Sequence, residues 1–203
     1  MKQNLKKLLT FVVMSVFLLV VVWLDPDGDI LKAFDENFEK TSYFENCIPE
    51  EGVGTNSAST TTNSLLEVVR VVDGDTIEVN NNCEPLTVRL IGINTPETLD
   101  PRKPVECFGK EASAYGKSLL ENTKVRIEID PTQGEFDKYG RHLGYVIMEN
   151  GTNYNLKMLE EGFAYEYTYN TPYKYQTEFK KAQADAKASE RGLWAEETCN
   201  GLK

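Results

Sequence analysis

The sequence predicts an α+β domain in which a small closed β-barrel is flanked by three helices. Three observations predict it: five short β-forming segments punctuated by strong turn signals, one helical segment set among them, and two more after the last strand. Five strands wound as a Greek key make an OB-type barrel, an architecture whose open face commonly accepts oligonucleotides.

Leu65 to Val72 is rich in β-formers and is broken by Asp73-Gly74; Thr76 to Val79 resumes the pattern, and Asn80-Asn81-Asn82 marks a hairpin turn before Leu86 to Ile93. From Phe108 the apolar residues Phe108, Ala112, Tyr115 and Leu119 recur at spacings of four, three and four, the period of a helix that stops at Glu121-Asn122. Lys124 to Ile129 alternates apolar and charged residues as a half-buried strand. Leu143 to Met148 supplies the fifth strand and is closed by Asn150-Gly151. Tyr154 to Glu161, stopped by Gly162, and Tyr175 to Ser189, ending before Gly192, are the second and third helices. Leu156, Leu159 and Phe163 fall at helical spacing and are expected in the core. No internal repeat is visible.

Ahead of this region, Lys2, Lys6 and Lys7 precede an apolar run of seventeen residues from Leu8 to Leu24, interrupted only by Thr10 and Ser15. At about 1.5 Å per residue a helix of that length covers roughly 25 Å, within reach of a membrane span and longer than most signal-peptide cores. No small-residue cleavage site follows Trp23-Leu24, so an uncleaved anchor is favoured over a cleaved signal peptide. With the lysines held inside, the rest of the chain faces outward. The protein is therefore expected outside the cytoplasm, on the outer face of the membrane or, if the signal is cleaved, secreted.

The expected organisation is an anchor or signal over 1–24, an acidic tether and linker over 25–64, the folded domain over 65–196 and a tail over 197–203. Between residues 25 and 52 nine acidic residues face Lys32 and Lys40, a net of −7, and Gly52 to Ser64 is a Gly/Ser/Thr/Asn-rich linker. Asp25, Asp27 and Asp29 with Glu36 imitate part of an EF-hand loop, but Ile30 occupies the position where the sharp turn needs Gly. A solvated acidic spacer is the preferred reading there.

The chain of 203 residues is 40% hydrophobic and 27% charged, enough apolar material for one sizeable core, with a net charge of −10 and a pI near 4.8. That balance excludes an electropositive shell, so any nucleic-acid contact must be local. His142 is the only histidine, which removes multi-His zinc chemistry and His-pair catalysis. Catalysis must rest on carboxylates, a hard metal, Arg, Lys, Tyr or Cys. His142 itself is expected to point away from Arg141, in a structural or solvent role.

The carboxylates and arginines cluster at strand ends. Asp73-Gly74-Asp75-Thr76 sits at a strand break, Arg89 lies within a strand, Asn94-Thr95-Pro96-Glu97 follows its end, and Asp137-Lys138-Tyr139-Gly140-Arg141 turns into the last strand. Taken singly, each has an ordinary structural reading as a turn, a strand exit or a salt-bridged arginine. Together they suit phosphodiester chemistry. A hard divalent cation takes carboxylate and carbonyl oxygens, guanidinium forks pair with phosphate oxygens, and an acid alongside can orient or deprotonate the attacking water.

These stretches, with Phe108-Gly109-Lys110-Glu111-Ala112 and Gly192-Leu193-Trp194, resemble the staphylococcal-nuclease-like family, also called thermonucleases, over roughly Leu66 to Trp194. The resemblance implies an OB-type barrel with three helices and calcium-dependent hydrolysis of DNA and RNA that leaves 3′-phosphates. By position it implies Asp75 as a direct Ca2+ ligand, Thr95 lending its backbone carbonyl, and Asp73 acting through water. Arg89 and Arg141 look like phosphate clamps, Glu97 like the residue acting on the attacking water, Tyr139 like a nucleotide-contacting tyrosine, and Lys138 would lie near a phosphate. The chain departs from the family's archetype at Asn94, where an aspartate ligand is expected. An amide still offers a carbonyl oxygen, but the site loses a full charge, which implies a millimolar calcium demand.

The tyrosines at 165, 167, 169, 173 and 175 are either packing between the second and third helices or a stacking ledge for nucleobases; Tyr167 and Tyr169 are the candidates for substrate contact. Four cysteines, Cys47, Cys83, Cys107 and Cys199, allow three connectivities, with structural disulfides expected outside the cytoplasm. Joining Cys107 to Cys199 would pin the C-terminus to the barrel and leave Cys47 with Cys83. The leading expectation is a monomeric calcium-dependent nuclease acting on DNA and RNA. Its rival is a non-catalytic OB-type module that binds nucleic acid or protein; the joint presence of Arg89, Glu97 and Arg141 favours the enzyme. A third reading, an acidic calcium-sensing surface protein built around the Asp25 motif, leaves the barrel unexplained.

Overall fold

The computed structural model describes residues 64–98 and 104–202. Alternation along the first strands builds the interior: Val68, Val71, Ile77, Val79, Val88 and Leu90 are all essentially inaccessible. These belong to β1 (Leu66–Asp73), β2 (Thr76–Asn81) and β3 (Glu84–Leu90). β5 (Lys124–Glu128) and β6 (His142–Met148) complete a closed barrel in the order β1-β2-β3-β6-β5. Leu66 pairs with Val125 to shut it, and β3 and β6 run parallel while the other barrel pairs are antiparallel. This is the five-stranded barrel the sequence predicts.

The β2–β3 hairpin turns on Asn82 and Cys83, both at positive φ (52° and 69°), as the right-handed strand twist requires of a two-residue turn. The β1–β2 turn is equally tight, with Asp73 paired to Thr76 across Gly74-Asp75. That turn projects two aspartates from one end of the barrel.

One expected element is split. Leu86 to Ile93 reads as one strand, yet the chain leaves the barrel after Leu90, turns at Gly92 (φ 80°), and continues as β4 (Ile93–Asn94). β4 pairs with β7 (Tyr165–Glu166) in a separate two-stranded sheet. A Cβ at Gly92 would lie 2.6 Å from the Tyr173 ring and 2.8 Å from Phe179, so side-chain volume as well as backbone conformation demands glycine here. Hydrophobicity hides the break because Leu90, Ile91 and Ile93 are buried on both sides of it.

The helices are α1 (Gly109–Leu120), α2 (Tyr154–Glu160) and α3 (Gln176–Ala188), followed by a 3-10 turn at Gly192–Trp194. α1 buries Gly109, Ala112, Gly116 and Leu120. Phe108 and Tyr115, two members of the helical spacing, stack on Phe163 at 5.2 and 4.1 Å between ring centroids. Asn153 caps α2 by accepting from the Leu156 N–H. The next residue but one, Asn155, is fully buried: its amide oxygen accepts from Val146 N and its amide nitrogen donates to Ile91 O, each near 3.0 Å (3.0 and 2.9 Å). It fastens α2 to the bend that separates β3 from β4. Leu159 is fully buried, while Leu156 and Phe163 pack on the edge of the core.

Cys107 and Cys199 form a disulfide that ties the start of α1 to the C-terminal turns. Cys83 is also disulfide-bonded; Cys47, the partner that pairing leaves for it, lies outside the described residues. The anchor run, the EF-hand-like loop and the linker up to residue 63 lie outside them too. No described helix is long and apolar enough to cross a membrane.

Candidate active site

The turns at one end of the barrel open onto a cleft of about 1160 Å³. It is lined by every residue that the sequence nominates for the site: Asp73, Asp75, Arg89, Asn94, Thr95, Glu97, Lys138, Tyr139, Arg141, Tyr167 and Tyr169. They arrive from separate places in the chain. The β1–β2 turn brings the aspartates, β3 brings Arg89, the β4 exit brings Asn94 to Glu97, and the turn before β6 brings Lys138 to Arg141.

Asp75 sits at the centre of the bonding. Its Oδ2 accepts from the Thr95 N–H at 2.9 Å and lies 3.1 Å from Arg89 Nη2, while its Oδ1 accepts from the Thr76 hydroxyl at 3.1 Å. Arg89 also donates from Nη1 to the carbonyls of Leu90 (2.6 Å) and Ile93 (2.9 Å), and from Nη2 to Asn94 Oδ1 (3.3 Å). Four acceptors thus hold one guanidinium, and two of them belong to the segment that leaves the barrel at Gly92. The bend is what allows a single arginine to hold both the β1–β2 turn and β4.

The turn before β6 is organised by Asp137, whose Oδ1 accepts from the Tyr139 and Arg141 N–H groups at 2.8 and 3.0 Å. Its Oδ2 receives Arg141 Nε at 2.7 Å and Nη2 at 2.6 Å. Arg141 Nη1 reaches the Thr76 hydroxyl at 3.4 Å, so Thr76 bridges Asp75 to the second arginine. Hydrogen bonds from Arg141 and Tyr139 outweigh burial, which acts the other way, and hold the Asp137 carboxyl below the ordinary carboxylate range.

Asp73 behaves differently. Burial foremost, aided by the neighbouring Asp75 and Glu97 carboxylates, pushes its carboxyl up to about 6 against hydrogen bonds from Gly74 N–H and the Thr98 hydroxyl. Carboxylates crowded together in this way favour a cation among them. The donor set on offer is two carboxylates, one amide and one backbone carbonyl, all hard oxygens of the kind calcium takes. Among the described residues Thr95 Oγ1 is a buried polar atom with no hydrogen-bond partner, and no group of three His, Cys, Asp or Glu side chains forms a cage. The residues fit an oxygen-coordinated cation and do not fit zinc.

Glu97 is held by its neighbours. Its N–H donates to Glu106 Oε2 at 3.0 Å, its carbonyl accepts from Glu106 N–H at 2.9 Å, and its Oε1 accepts from the Thr98 N–H at 3.0 Å. Glu106 therefore clasps the base of the loop that carries Glu97. Sequence reading missed Thr76, Thr98, Glu106 and Asp137 as site residues; only Asp137, four residues before Arg141, carried a local signal, the i,i+4 charge pair.

The tyrosines divide. Tyr167 and Tyr169 are 44% and 63% exposed, with ring centroids 6.3 Å apart, and Tyr139 is 71% exposed beneath Lys138 and Arg141 at 4.9 and 5.4 Å. The others pack: Tyr173 donates to Glu166 at 3.0 Å, Tyr175 donates to Glu128 at 2.8 Å, and Tyr165 sits edge-on to Trp194 at 5.3 Å. His142 is outside the cleft lining, its ring 4.4 Å from Phe136.

Residues 87–196 match the family described as staphylococcal nuclease homologue. The chain is similar to a thermonuclease of Staphylococcus hyicus, with 40% identity over 147 residues, which covers 72% of this chain and 83% of the relative. It is also 40% identical to a thermonuclease of Staphylococcus intermedius over 127 residues, 63% of this chain and 74% of that protein. The SPbeta prophage-derived endonuclease YokF of Bacillus subtilis is 39% identical over 127 residues, covering 62% of this chain and 42% of YokF. On a family match across more than half its length, a relative aligned over most of both chains, and the closed barrel whose turns carry the cleft, this chain belongs to the staphylococcal nuclease homologue family.

Proposed function

We propose that the protein is a calcium-dependent nuclease that hydrolyses the phosphodiester bonds of DNA and RNA, leaving 3′-phosphates, outside the cytoplasm. The observation that carries the reading is the convergence of Arg89, Arg141 and Glu97 with the oxygen donors Asp75, Asn94 and Thr95 on one cleft. The names of the relatives, two thermonucleases and an endonuclease, support it.

The chemistry follows from the residues. Arg89 and Arg141 present fixed guanidinium donors to the phosphate oxygens and stabilise the negative charge that builds as water adds to phosphorus. Glu97 orients that water and accepts its proton; the phosphorus–5′-oxygen bond breaks, and the leaving oxygen takes up a proton from solvent and departs as a 5′-hydroxyl. Lys138 adds positive charge near the phosphate, and Tyr139, Tyr167 and Tyr169 offer ring faces to the bases. Asp75, Asn94 and the Thr95 carbonyl would hold calcium, with Asp73 joined through water; when bound, calcium would supply positive charge that offsets the charge of the phosphate. The disulfides at Cys107–Cys199 and Cys83 support an oxidising compartment, as does the apolar run from Leu8 to Leu24. The protein is proposed to act as a monomer.

The second reading is a binding module with no catalysis, which Asn94 favours because the site lacks one ligand charge. Incubating the full chain under oxidising conditions with single-stranded DNA, in calcium or in chelator, separates the two. The nuclease gives calcium-dependent fragments ending in 3′-phosphate; a binding module retains the strand intact at every calcium level.

A further inference from the structure

The sheet face next to the cleft continues past the two arginines. Thr76 pairs with Arg89 and Glu78 with Thr87 across β2 and β3, and Arg89 pairs with Leu143 across β3 and β6. Strand alternation puts Thr76, Glu78, Thr87 and Arg89 on the outer side of the barrel, because Ile77, Val79, Val88 and Leu90 fill the interior. Thr87 and Leu143 line the same cleft as the arginines.

Phe136 closes that face. It forms an isolated bridge with His142, its ring lies 4.4 Å from the His142 ring, and the Leu143 N–H donates to the carbonyl of the residue before it, Glu135, at 2.9 Å. The residue after it is Asp137, which grips Arg141 through two nitrogens. The ring is thus backed from beneath and fixed one residue from the holder of the Arg141 clamp. Nevertheless it is 51% exposed and lines the cleft. A large apolar ring held open on a structured turn, continuous with a pair of phosphate-binding arginines, has the character of a base-stacking platform.

We infer that Phe136, backed by His142 and lining the same cleft as Leu143 and Thr87, forms a subsite for an unpaired nucleobase beyond the nucleotides that Tyr139, Tyr167 and Tyr169 face. The inference rests on the nuclease reading for its phosphate register. The occupant is a base of the same strand: the strand's phosphates are gripped at Arg89 and Arg141, Thr87 and Leu143 beside them are uncharged, and the carboxylate on that face, Glu78, is paired with Arg70 at 3.4 Å. Stacking on such a ring is sequence-tolerant, so the subsite adds affinity for longer strands without selecting a base.

The test compares full-length protein with its Phe136→Ala and Phe136→Trp variants on a thymidine dinucleotide and a thymidine hexanucleotide in calcium. The ratio of kcat/KM for hexanucleotide over dinucleotide is expected to fall by about fivefold or more in Phe136→Ala and to be kept in Phe136→Trp. An unchanged ratio in a variant with the parent's thermal midpoint overturns the subsite. Fluorescence anisotropy with labelled hexanucleotide, in a Glu97→Gln background with and without Phe136→Ala, measures binding apart from cleavage. If the parent cleaves neither substrate the nuclease reading fails. The anisotropy then still decides: weaker hexanucleotide binding by the Phe136→Ala protein supports the subsite, and equal binding overturns it.

Discussion

Arg89 Nη2 lies 3.1 Å from Asp75 Oδ2, in a salt bridge whose two side chains are only 13% and 11% exposed. The proposed phosphate clamp is thereby held by the proposed calcium ligand. Removing either partner strands the other charge in a shielded place. Arg89→Ala is expected to cost about 3–5 kcal/mol of stability in calcium-free protein, as other broken buried pairs do, and to lower kcat by about a hundredfold or more. Thermal unfolding in chelator and steady-state kinetics in calcium measure the two effects separately.

Asn94 Oδ1 accepts from the same guanidinium at 3.3 Å. Asn94→Asp restores a ligand charge, and calcium titration followed by activity is expected to saturate at lower calcium in the variant than in the parent. Saturation of the parent at micromolar calcium contradicts the millimolar demand expected of the amide.

Asp130 fixes Thr132, which lines the cleft. It is buried and accepts four hydrogen bonds: from Thr132 N (3.0 Å), Thr132 Oγ1 (2.7 Å), Tyr145 OH (2.8 Å) and Lys174 N (2.8 Å). Burial acts to raise its carboxyl, but these bonds, led by Lys174 N–H, hold it below its ordinary value of 3.8. Its stabilisation is therefore fully present above pH 3.8 and is lost as pH falls through the lower folded value. Asp130→Asn is expected to lose about 2–3 kcal/mol near neutrality, and the gap to the parent is expected to narrow in denaturant titrations below that pH.

The Cys107–Cys199 bridge closes a loop with a sequence separation of 92. The double variant Cys107→Ser, Cys199→Ser is expected to lose about 4.6 kcal/mol by the chain-entropy estimate. Because Cys107 follows Glu106, which clasps the Glu97 backbone, its kcat is expected to fall too, which kinetics below the lowered unfolding midpoint will show.

Gly74 stands between the two aspartates, and a Cβ there would lie 2.6 Å from Thr95 Cγ2. Gly74→Ala is expected to push Thr95 off Asp75 and weaken calcium binding measured by calorimetry, with a smaller change in thermal midpoint.

Much of this arrangement was legible in the sequence because turns punctuate it. Asp73-Gly74, Asn80-Asn81-Asn82 and Asn150-Gly151 mark strand ends with residues that tolerate unusual backbone angles, and α1 and α2 carry helical spacing. The site residues were legible because they sit at those same ends. The break at Gly92 was not, since buried apolar residues flank it and one glycine within an apolar run looks like strand interior. Nor was Asp130: before Pro131 and Thr132 it reads as a turn, and its value comes from Tyr145 and Lys174, which only the fold brings near. The tyrosine run was ambiguous for a related reason, as partners contributed by distant elements decide which rings are covered.

The most direct test of the central claim is the turnover of Glu97→Gln on single-stranded DNA at saturating calcium, with strand binding measured on the same protein. The account predicts kcat reduced by about a hundredfold or more with binding retained, since Arg89 and Arg141 still grip the phosphate. Turnover equal to the parent's would contradict it and remove Glu97 from the reaction.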